Sequence, residues 1–246
     1  MNKSKYKIID TGGINMKMVY VQSGSFNREY DKLVQPGYYR RYPDEIVHPI
    51  SINKPFYIGI YQVTQEQWKC VMGNNPSDFI GDQHPVETVN WFDCQDFSKK
   101  LSERTGETFR LPTEAEFEYA ARGGNQSKGF VYSGSNSIDD VAWYTENSLD
   151  HHHPVGQKQP NELGLFDMSG NVSEWCSDWY GDFNVPEGCI GVWDDPSGPE
   201  TGGMRVARGG GWYINAFYCR SSVRSVGTPS TRFNGNGFRV VLEPKP

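Results

Sequence analysis

Short alternating runs of apolar and polar residues open the chain. Residues 16–26, "MKMVYVQSGSF", carry the two-residue period of a strand followed by a turn. Residues 48–64, "HPISINKPFYIGIYQVT", predict one or two further strands. The polar, Tyr-rich stretch between them, residues 27–47, reads as an ordered loop. The period then changes. Thr64 and Gln67 have the spacing of a capping box at the start of "TQEQWKCVMG". A second helix is predicted from about Asn90, with Cys94, Phe97 and Leu101 on one face and Gly106 at its exit. Thr113 and Glu116 repeat the capping box for a third helix, which turns Phe117, Ala120 and Ala121 inward and stops at Gly123.

After Gly124 no amphipathic helix is predicted. Turns dominate, with short strands at "FVYSG", "GVW", "RVARGG" and "GFRVVL". Helices first and a loop-rich β region afterwards predict an α+β fold with a small twisted antiparallel sheet, two or three helices and long ordered loops. There is no internal repeat and no low-complexity linker, so residues 1–246 are expected to form a single domain.

Composition narrows the function classes. A net charge of −6 and a pI near 5.4 argue against a nucleic-acid partner, which calls for a basic face. The N-terminus "MNKSKYKIIDTGG" lacks the apolar core of a signal peptide, and no run is long enough to insert in a membrane. The expected location is therefore the cytosol, or surface or virion display by a route without a cleavable signal. Cys70, Cys94, Cys176, Cys189 and Cys219 show no CxxC spacing and read as mostly reduced thiols. Cys70 and Cys94 fall on inward helix faces, and Cys176 and Cys189 could pair. Trp68, Trp91, Trp175, Trp179 and Trp212 read as core. In "DHHHP", residues 150–154, three consecutive histidines on extended chain point apart, so a solvated loop is expected rather than a metal site.

Two acidic clusters allow more than one reading. Glu114, Glu116 and Glu118 sit in the first turns of the third helix, where the helix dipole favours them; a catalytic carboxylate pair is the sharper alternative. In "GLFDMSGNVSEW", Asp167, Asn171 and Glu174 are hard oxygen donors around Gly170. Either they hold a cation, or Asp167 and Asn171 brace a turn while Glu174 pairs with an arginine such as Arg208.

Five segments in order carry a resemblance: "FYIGIYQVTQEQW", "HPVETVNWFDCQDFSKKLSERTG", "FRLPTEAEFEYAARGG", "HPVGQKQPNELGLFDMSGNVSEWCSDWY" and "RVARGGGWY…CRSSVR…GFRVV". Together, over roughly residues 14–242, they resemble the formylglycine-generating, sulfatase-modifying family. That resemblance implies a variant of the C-type lectin fold. It also implies calcium held by the side chains of Asp167 and Glu174 with the carbonyls of Gly170 and Val172. The family's oxidases hold copper between two cysteines shortly after the "RVxRGG" strand and act on a protein cysteine. Here that segment offers Cys219 alone, with Ile214, Ala216 and Phe217 where a second thiol would stand. One thiolate cannot make a two-coordinate site for a soft ion, which weighs against copper and against the oxidase.

The segment Tyr213–Gly237 raises a different expectation. It contains no Lys, Glu, Gln, Met or Asp, although the first four types make up 43 of the 246 residues. At ordinary usage about four of them belong in such a window. The same family includes variable proteins of diversity-generating retroelements, in which a C-terminal repeat is rewritten at template adenines. The usual mutable codon of those repeats cannot yield Lys, Glu, Gln, Met or Trp, and every position from Tyr213 to Gly237 obeys that rule. The resemblance therefore implies a variable region over residues 211–239. Gly209, Gly210, Trp212, Arg220, Arg224, Pro229, Arg232, Gly237, Phe238 and Arg239 would be its fixed framework. The candidate contact residues are Tyr213, Ile214, Asn215, Phe217, Tyr218, Val223, Ser225, Val226, Thr228, Phe233, Asn234 and Asn236. Rings mixed with small polar residues suit a paratope for a protein or cell-surface ligand. A fixed, non-catalytic binding member of the family and a copper oxidase are the alternatives.

Overall fold

The computed structural model describes residues 4–28, 48–181 and 192–245. The tyrosine-rich stretch expected to be an ordered loop lies almost wholly outside them, as does Cys189. Alternation is what builds the first sheet. β1 (Tyr6–Asp10), β2 (Asn15–Val21), β5 (Phe56–Gly59), β12 (Val241–Leu242) and β6 (Phe109–Arg110) lie side by side in that order, all antiparallel. Successive side chains take opposite faces. Met16, Met18 and Leu242 join one buried cluster with Trp68, Phe97, Leu101 and Phe238, while Val19, Val21, Ile58 and Val241 join another with Phe117, Ala120 and Val206.

The helices cover those two faces. α1 (Gln65–Met72) and α2 (Trp91–Thr105) supply Trp68, Cys94, Phe97 and Leu101 to the first cluster, and α3 (Glu114–Ala121) supplies Phe117, Ala120 and Ala121 to the second. All three begin in complete capping boxes, at Thr64 with Gln67, Asn90 with Asp93 and Thr113 with Glu116. Each box satisfies two backbone donors that the helix itself leaves open. Gly73 and Gly106 end α1 and α2 at positive φ, 84° and 69°.

Two smaller sheets complete the fold. β3 (Gly24–Arg28), β4 (His48–Ile52) and β8 (Trp193–Asp194) form one, with β8 parallel to β4. In the other, β10 (Arg224–Gly227), β9 (Arg205–Arg208), β7 (Ser173–Trp179) and β11 (Asn236–Gly237) lie in that order, with β11 parallel to β7. The expected single antiparallel sheet is therefore three sheets among the described residues, with two parallel pairs. β1, β6, β7 and β10 were not predicted, and β3 falls on the expected turn and the start of the expected loop. "FVYSG" is a turn bridged from Tyr132 to Ser135, not a strand. Beyond Gly124 the described helices are short: α4 (Ile138–Val141) and 3-10 turns at Gly124–Gln126 and Ala216–Cys219. Among the described residues no helix is long and apolar enough to cross a membrane.

Candidate binding face

The C-terminal segment starts where β9 ends in two glycines with positive φ, Gly209 at 88° and Gly210 at 73°. A side chain at Gly210 would lie 2.7 Å from Sγ of Cys219 and 2.8 Å from the Tyr218 carbonyl, so the returning 3-10 turn rests directly on that backbone. Asn215 caps the turn, its Oδ1 accepting from the Phe217 N–H at 3.1 Å. Trp212 pins the entry: its N–H donates to the Asn171 carbonyl at 2.8 Å and its indole Nε1 to the Asn234 carbonyl at 3.2 Å. Further on, the carbonyls of Pro229 and Phe233 accept from the Trp91 and Thr88 N–H groups. Loop backbone with no sheet of its own is thereby satisfied from the scaffold.

Arginines do much of this holding, and they also carry charge into the interior. Arg208, 1% exposed, donates to the Ser221 and Ser222 carbonyls at 2.7 and 3.2 Å and to Glu118 Oε2 at 2.9 Å. Arg224 takes both oxygens of Glu114, at 2.6 and 2.8 Å, and Arg232 reaches Asp93 and the Thr88 carbonyl. Glu116 is gripped by Arg110 through two bonds of 2.6 and 2.7 Å. Burial works against the charge of Glu118, yet Arg28, Arg208 and Arg122 hold its carboxyl below the usual range. The three glutamates are thus ion-paired braces that fasten α3 to its surroundings; the geometry gives the alternative of a catalytic carboxylate pair no free carboxylate.

The candidate contact residues divide by exposure. Asn215, Val226, Thr228 and Phe233 are exposed; Tyr213, Ile214, Phe217, Tyr218, Val223, Ser225 and Asn234 are half-buried. Asn236 is buried, because it sits in β11 beside Ser173 of β7, and so does not belong to the face. Phe233 meets Tyr213 edge to face with centroids 4.7 Å apart, and Phe217 meets Tyr218 at 5.3 Å. Tyr213 lies deeper than an anchor at the tip of a loop would. Burial raises its hydroxyl pKa, and the oxygen sits 3.4 Å from Ser173 Oγ.

Cys219 is fully buried, and burial pushes its pKa up to about 12, which holds the free thiol in its protonated form at neutral pH. Cys94 and Cys176 are likewise buried with raised pKa values, whereas Cys70 is half-exposed, its Sγ 3.1 Å from the Gly12 carbonyl. The described cysteines are all free. Among the described residues no three His, Cys, Asp or Glu side chains gather in a way that could hold a metal.

The histidine tract is not a solvated loop. His152 is fully buried, its Nδ1 3.0 Å from His84 Nδ1 and its Nε2 3.4 Å from Glu87 Oε1. Burial and the neighbouring histidines lower the pKa of His84 to about 4. Trp91 and Trp179 are only half-buried, and the Arg205 guanidinium is packed between their rings, 3.8 and 3.4 Å from the centroids.

For the oxygen donors at Asp167, Gly170, Val172 and Glu174 the geometry answers differently from the expectation. Glu174 pairs with Arg239, not Arg208. The side chain of Asp167 points to the Gly156 N–H at 2.7 Å, and burial pushes its pKa up to about 6. Its other oxygen, Oδ1, is buried without a hydrogen-bond partner. What faces the Glu174 carboxylate and the two carbonyls is instead the carbonyl of Asp167, and the amide nitrogen of Gln62 stands at their focus. So arranged, the set does not fit a calcium ion: a neutral N–H donor takes the cation's place, and the Glu174 charge is already matched. Gln62 was not among the residues singled out from sequence, and nothing beside it in the chain signals this role.

Comparison with known proteins agrees with the segments picked out above. The sulfatase-modifying factor enzyme 1-like domain matches residues 11–244. The chaperone protein LppX of Paenibacillus barcinonensis is 38% identical over 207 residues, 64% of this chain and 69% of its own. The formylglycine-generating enzyme of Streptomyces coelicolor is 34% identical over 214 residues, 80% of this chain; the match spans 64% of that enzyme, less than two thirds of its length. Among solved structures, Treponema denticola variable protein 1 superposes with a TM-score of 0.86 at 30% identity, covering 98% of this chain and 100% of that one. PvdO from Pseudomonas aeruginosa superposes with a TM-score of 0.78 at 27% identity, covering 99% and 100%. The fold is α+β of the C-type lectin-like kind, as the sequence led us to expect.

Proposed function

The chain belongs to the family of the sulfatase-modifying factor enzyme 1-like domain, and from that premise we propose that it is a non-catalytic binding protein whose residues 211–239 form an interchangeable contact face. One observation carries the reading. In the segment free of Lys, Glu, Gln, Met and Asp, the candidate contact positions are exposed or half-buried apart from Asn236, whereas five of the ten framework positions are buried, four are half-buried and Arg232 is exposed but tied to Asp93 and the Thr88 carbonyl. Gly209, Gly210, Gly237, Phe238 and Arg239 are buried; Asn215, Val226, Thr228 and Phe233 are exposed. A surface whose types are limited in this way, on a backbone held from behind by Arg208, Trp212 and Arg224, can change its side chains without changing its fold.

Recognition would rest on the rings. Phe233, Tyr213, Phe217 and Tyr218 offer area at little entropic cost, and Asn215, Ser225, Thr228 and Asn234 offer adaptable hydrogen bonds around them. The fitting partner is a protein or a cell-surface group. Likeness to the Treponema denticola variable protein supports variation at this face. The relatives named formylglycine-generating enzyme favour an oxidase as the second reading. Against it stands Cys219, the one thiol in its stretch of sequence, buried and with a pKa that burial raises.

The flanking DNA tests the first reading. A near-copy of the codons for residues 211–239, differing only where the copy has adenine, should lie beside a reverse-transcriptase gene. A genome without such a copy overturns the interchangeable part and leaves a fixed binder. Copper-dependent oxygen consumption with a cysteine-containing peptide would establish the oxidase instead.

A further inference from the structure

One turn of chain aims four oxygens at a single point. The carbonyls of Asp167, Gly170 and Val172 and Oε1 of Glu174 lie 3.2, 3.5, 2.9 and 3.0 Å from Nε2 of Gln62. Three carbonyls and a carboxylate turned inward are the donor chemistry of a hard cation. We propose that the Gln62 carboxamide is a built-in stand-in for that cation, so that this chain sets the turn beneath its contact face without calcium.

The orientation of the amide is determined by its neighbours. Its oxygen accepts from Nδ2 of Asn171 at 3.1 Å, and Asn171 is fixed in turn by His153, whose N–H donates to Oδ1 at 2.9 Å and whose carbonyl accepts from Nδ2 at 3.1 Å. Reversing Gln62 would press its oxygen among four others and set two NH2 groups against each other. Gln62, Asn171 and Glu174 are fully buried and Asp167 is 2% exposed, so bulk solvent does not relieve the crowding of acceptors. A donor or a cation at the focus does.

The charges and the spacing both favour the donor. Arg239 takes both oxygens of Glu174, Nε to Oε2 at 2.6 Å and Nη2 to Oε1 at 2.7 Å, and also donates to the Gly59 and Phe166 carbonyls. A dication at the focus would face that guanidinium across the shared carboxylate. Calcium draws its oxygens to about 2.3–2.6 Å, well inside the spacing of this set; the Asp167, Val172 and Glu174 contacts lie within the roughly 3.2 Å reach of an amide hydrogen bond, and the Gly170 carbonyl stands just beyond it.

The turn that the amide holds is costly without it. Asp167 and Asn171 are non-glycine residues at φ of 56° and 64°, on either side of Gly170 at 81°. It also seats both ends of the contact segment: the Asn171 carbonyl accepts from the Trp212 N–H at 2.8 Å, and the Ser173 N–H donates to the Gly235 carbonyl at 2.7 Å. Bracing this turn is how Gln62, far off in sequence, bears on the face.

Thermal melts of the purified chain in EGTA and in millimolar calcium chloride decide the matter. The wild-type melts should coincide. Gln62→Ala, which leaves the oxygens facing one another, should melt lower in EGTA by several degrees, on the order expected for the loss of a buried hydrogen-bonding hub. It should regain part of that loss when calcium is added, through binding to the folded form. A calcium-dependent rise of several degrees in the wild-type chain overturns the proposal, and so does a Gln62→Ala chain that melts like wild type in EGTA. Should Gln62→Ala fail to fold, Gln62→Met keeps the volume, removes the N–H groups and is read by the same two criteria.

Discussion

Phe233 and Tyr213 form an edge-to-face pair, centroids 4.7 Å apart, in which one ring is exposed and the other is wedged into the scaffold. A side chain at Gly235 would come within 2.2 Å of the Tyr213 ring, and one at Gly211 within 2.9 Å, so two glycines make room for it. The pair therefore has unequal members. Phe233→Ala should cost only about 0.5–1.5 kcal/mol, the worth of the ring contact, while removing ligand capture. Tyr213→Ala should cost more, about 2 kcal/mol or above, because it leaves a hole beneath the face. Urea denaturation of both variants checks the order. Equal stability losses would mean that Tyr213 is merely another surface anchor.

Arg208 joins α3 to the contact segment through Glu118 and the Ser221 and Ser222 carbonyls. Arg208, Glu118 and Ser221 are buried, so removing the guanidinium takes from Glu118 one of its three arginine partners and leaves the Ser221 and Ser222 carbonyls without this donor. Arg208→Met should destabilise the fold by about 3–5 kcal/mol, the usual penalty for breaking a buried pair from one side. Urea unfolding measures it. A cost below about 1 kcal/mol would show that Arg28 and Arg122 alone satisfy Glu118.

Local chemistry was legible in the sequence and long-range pairing was not. The caps at Thr64 and Thr113 could be found because a capping box lies within four consecutive residues. β7 could not: "SEWCSDW" places Glu174 and Asp178 among its apolar residues, and Arg239, 65 positions on, is what lets Glu174 go inside. His152 is buried for the same kind of reason, with Glu87 also 65 positions away. The proposed contact segment stands out by the residue types it lacks, a signal of composition. That signal says nothing of depth, so it grouped buried Asn236 and half-buried Tyr213 with exposed Phe233.

Thiol labelling separates the binding reading from the oxidase reading without a known ligand. Burial keeps Cys94, Cys176 and Cys219 protonated and shielded, and Cys70 alone of the described cysteines is half-exposed. Iodoacetamide on the native chain should modify Cys70 and leave the other three until the chain unfolds. Peptide mass spectrometry reads the sites. Rapid native labelling of Cys219 would mean an accessible thiolate and would restore the oxidase as a candidate.

Asp178 gives the fold a pH dependence of unusual sign. Burial, with the charge of Glu114 adding to it, pushes this carboxyl from an ordinary 3.8 up to about 6. The folded chain then takes up a proton at a pH where the unfolded chain has already lost it. The contribution of this group is fully present below about pH 4 and is lost as pH rises through 6, with a full span of about 3 kcal/mol. Asp178→Asn keeps an oxygen to accept from the Glu114 N–H, now 2.8 Å from Oδ2, and removes the charge. The variant should therefore be the more stable chain at pH 7.5, by about 1–2 kcal/mol, and the gap should close toward pH 4. Comparing the two chains at each pH cancels the other carboxyls, including Asp167, whose pKa is raised in the same direction. Urea midpoints at pH 4, 5, 6 and 7.5 test this, and a gap that keeps its size from 7.5 down to 4 would show that Asp178 is already ionised at the acid end.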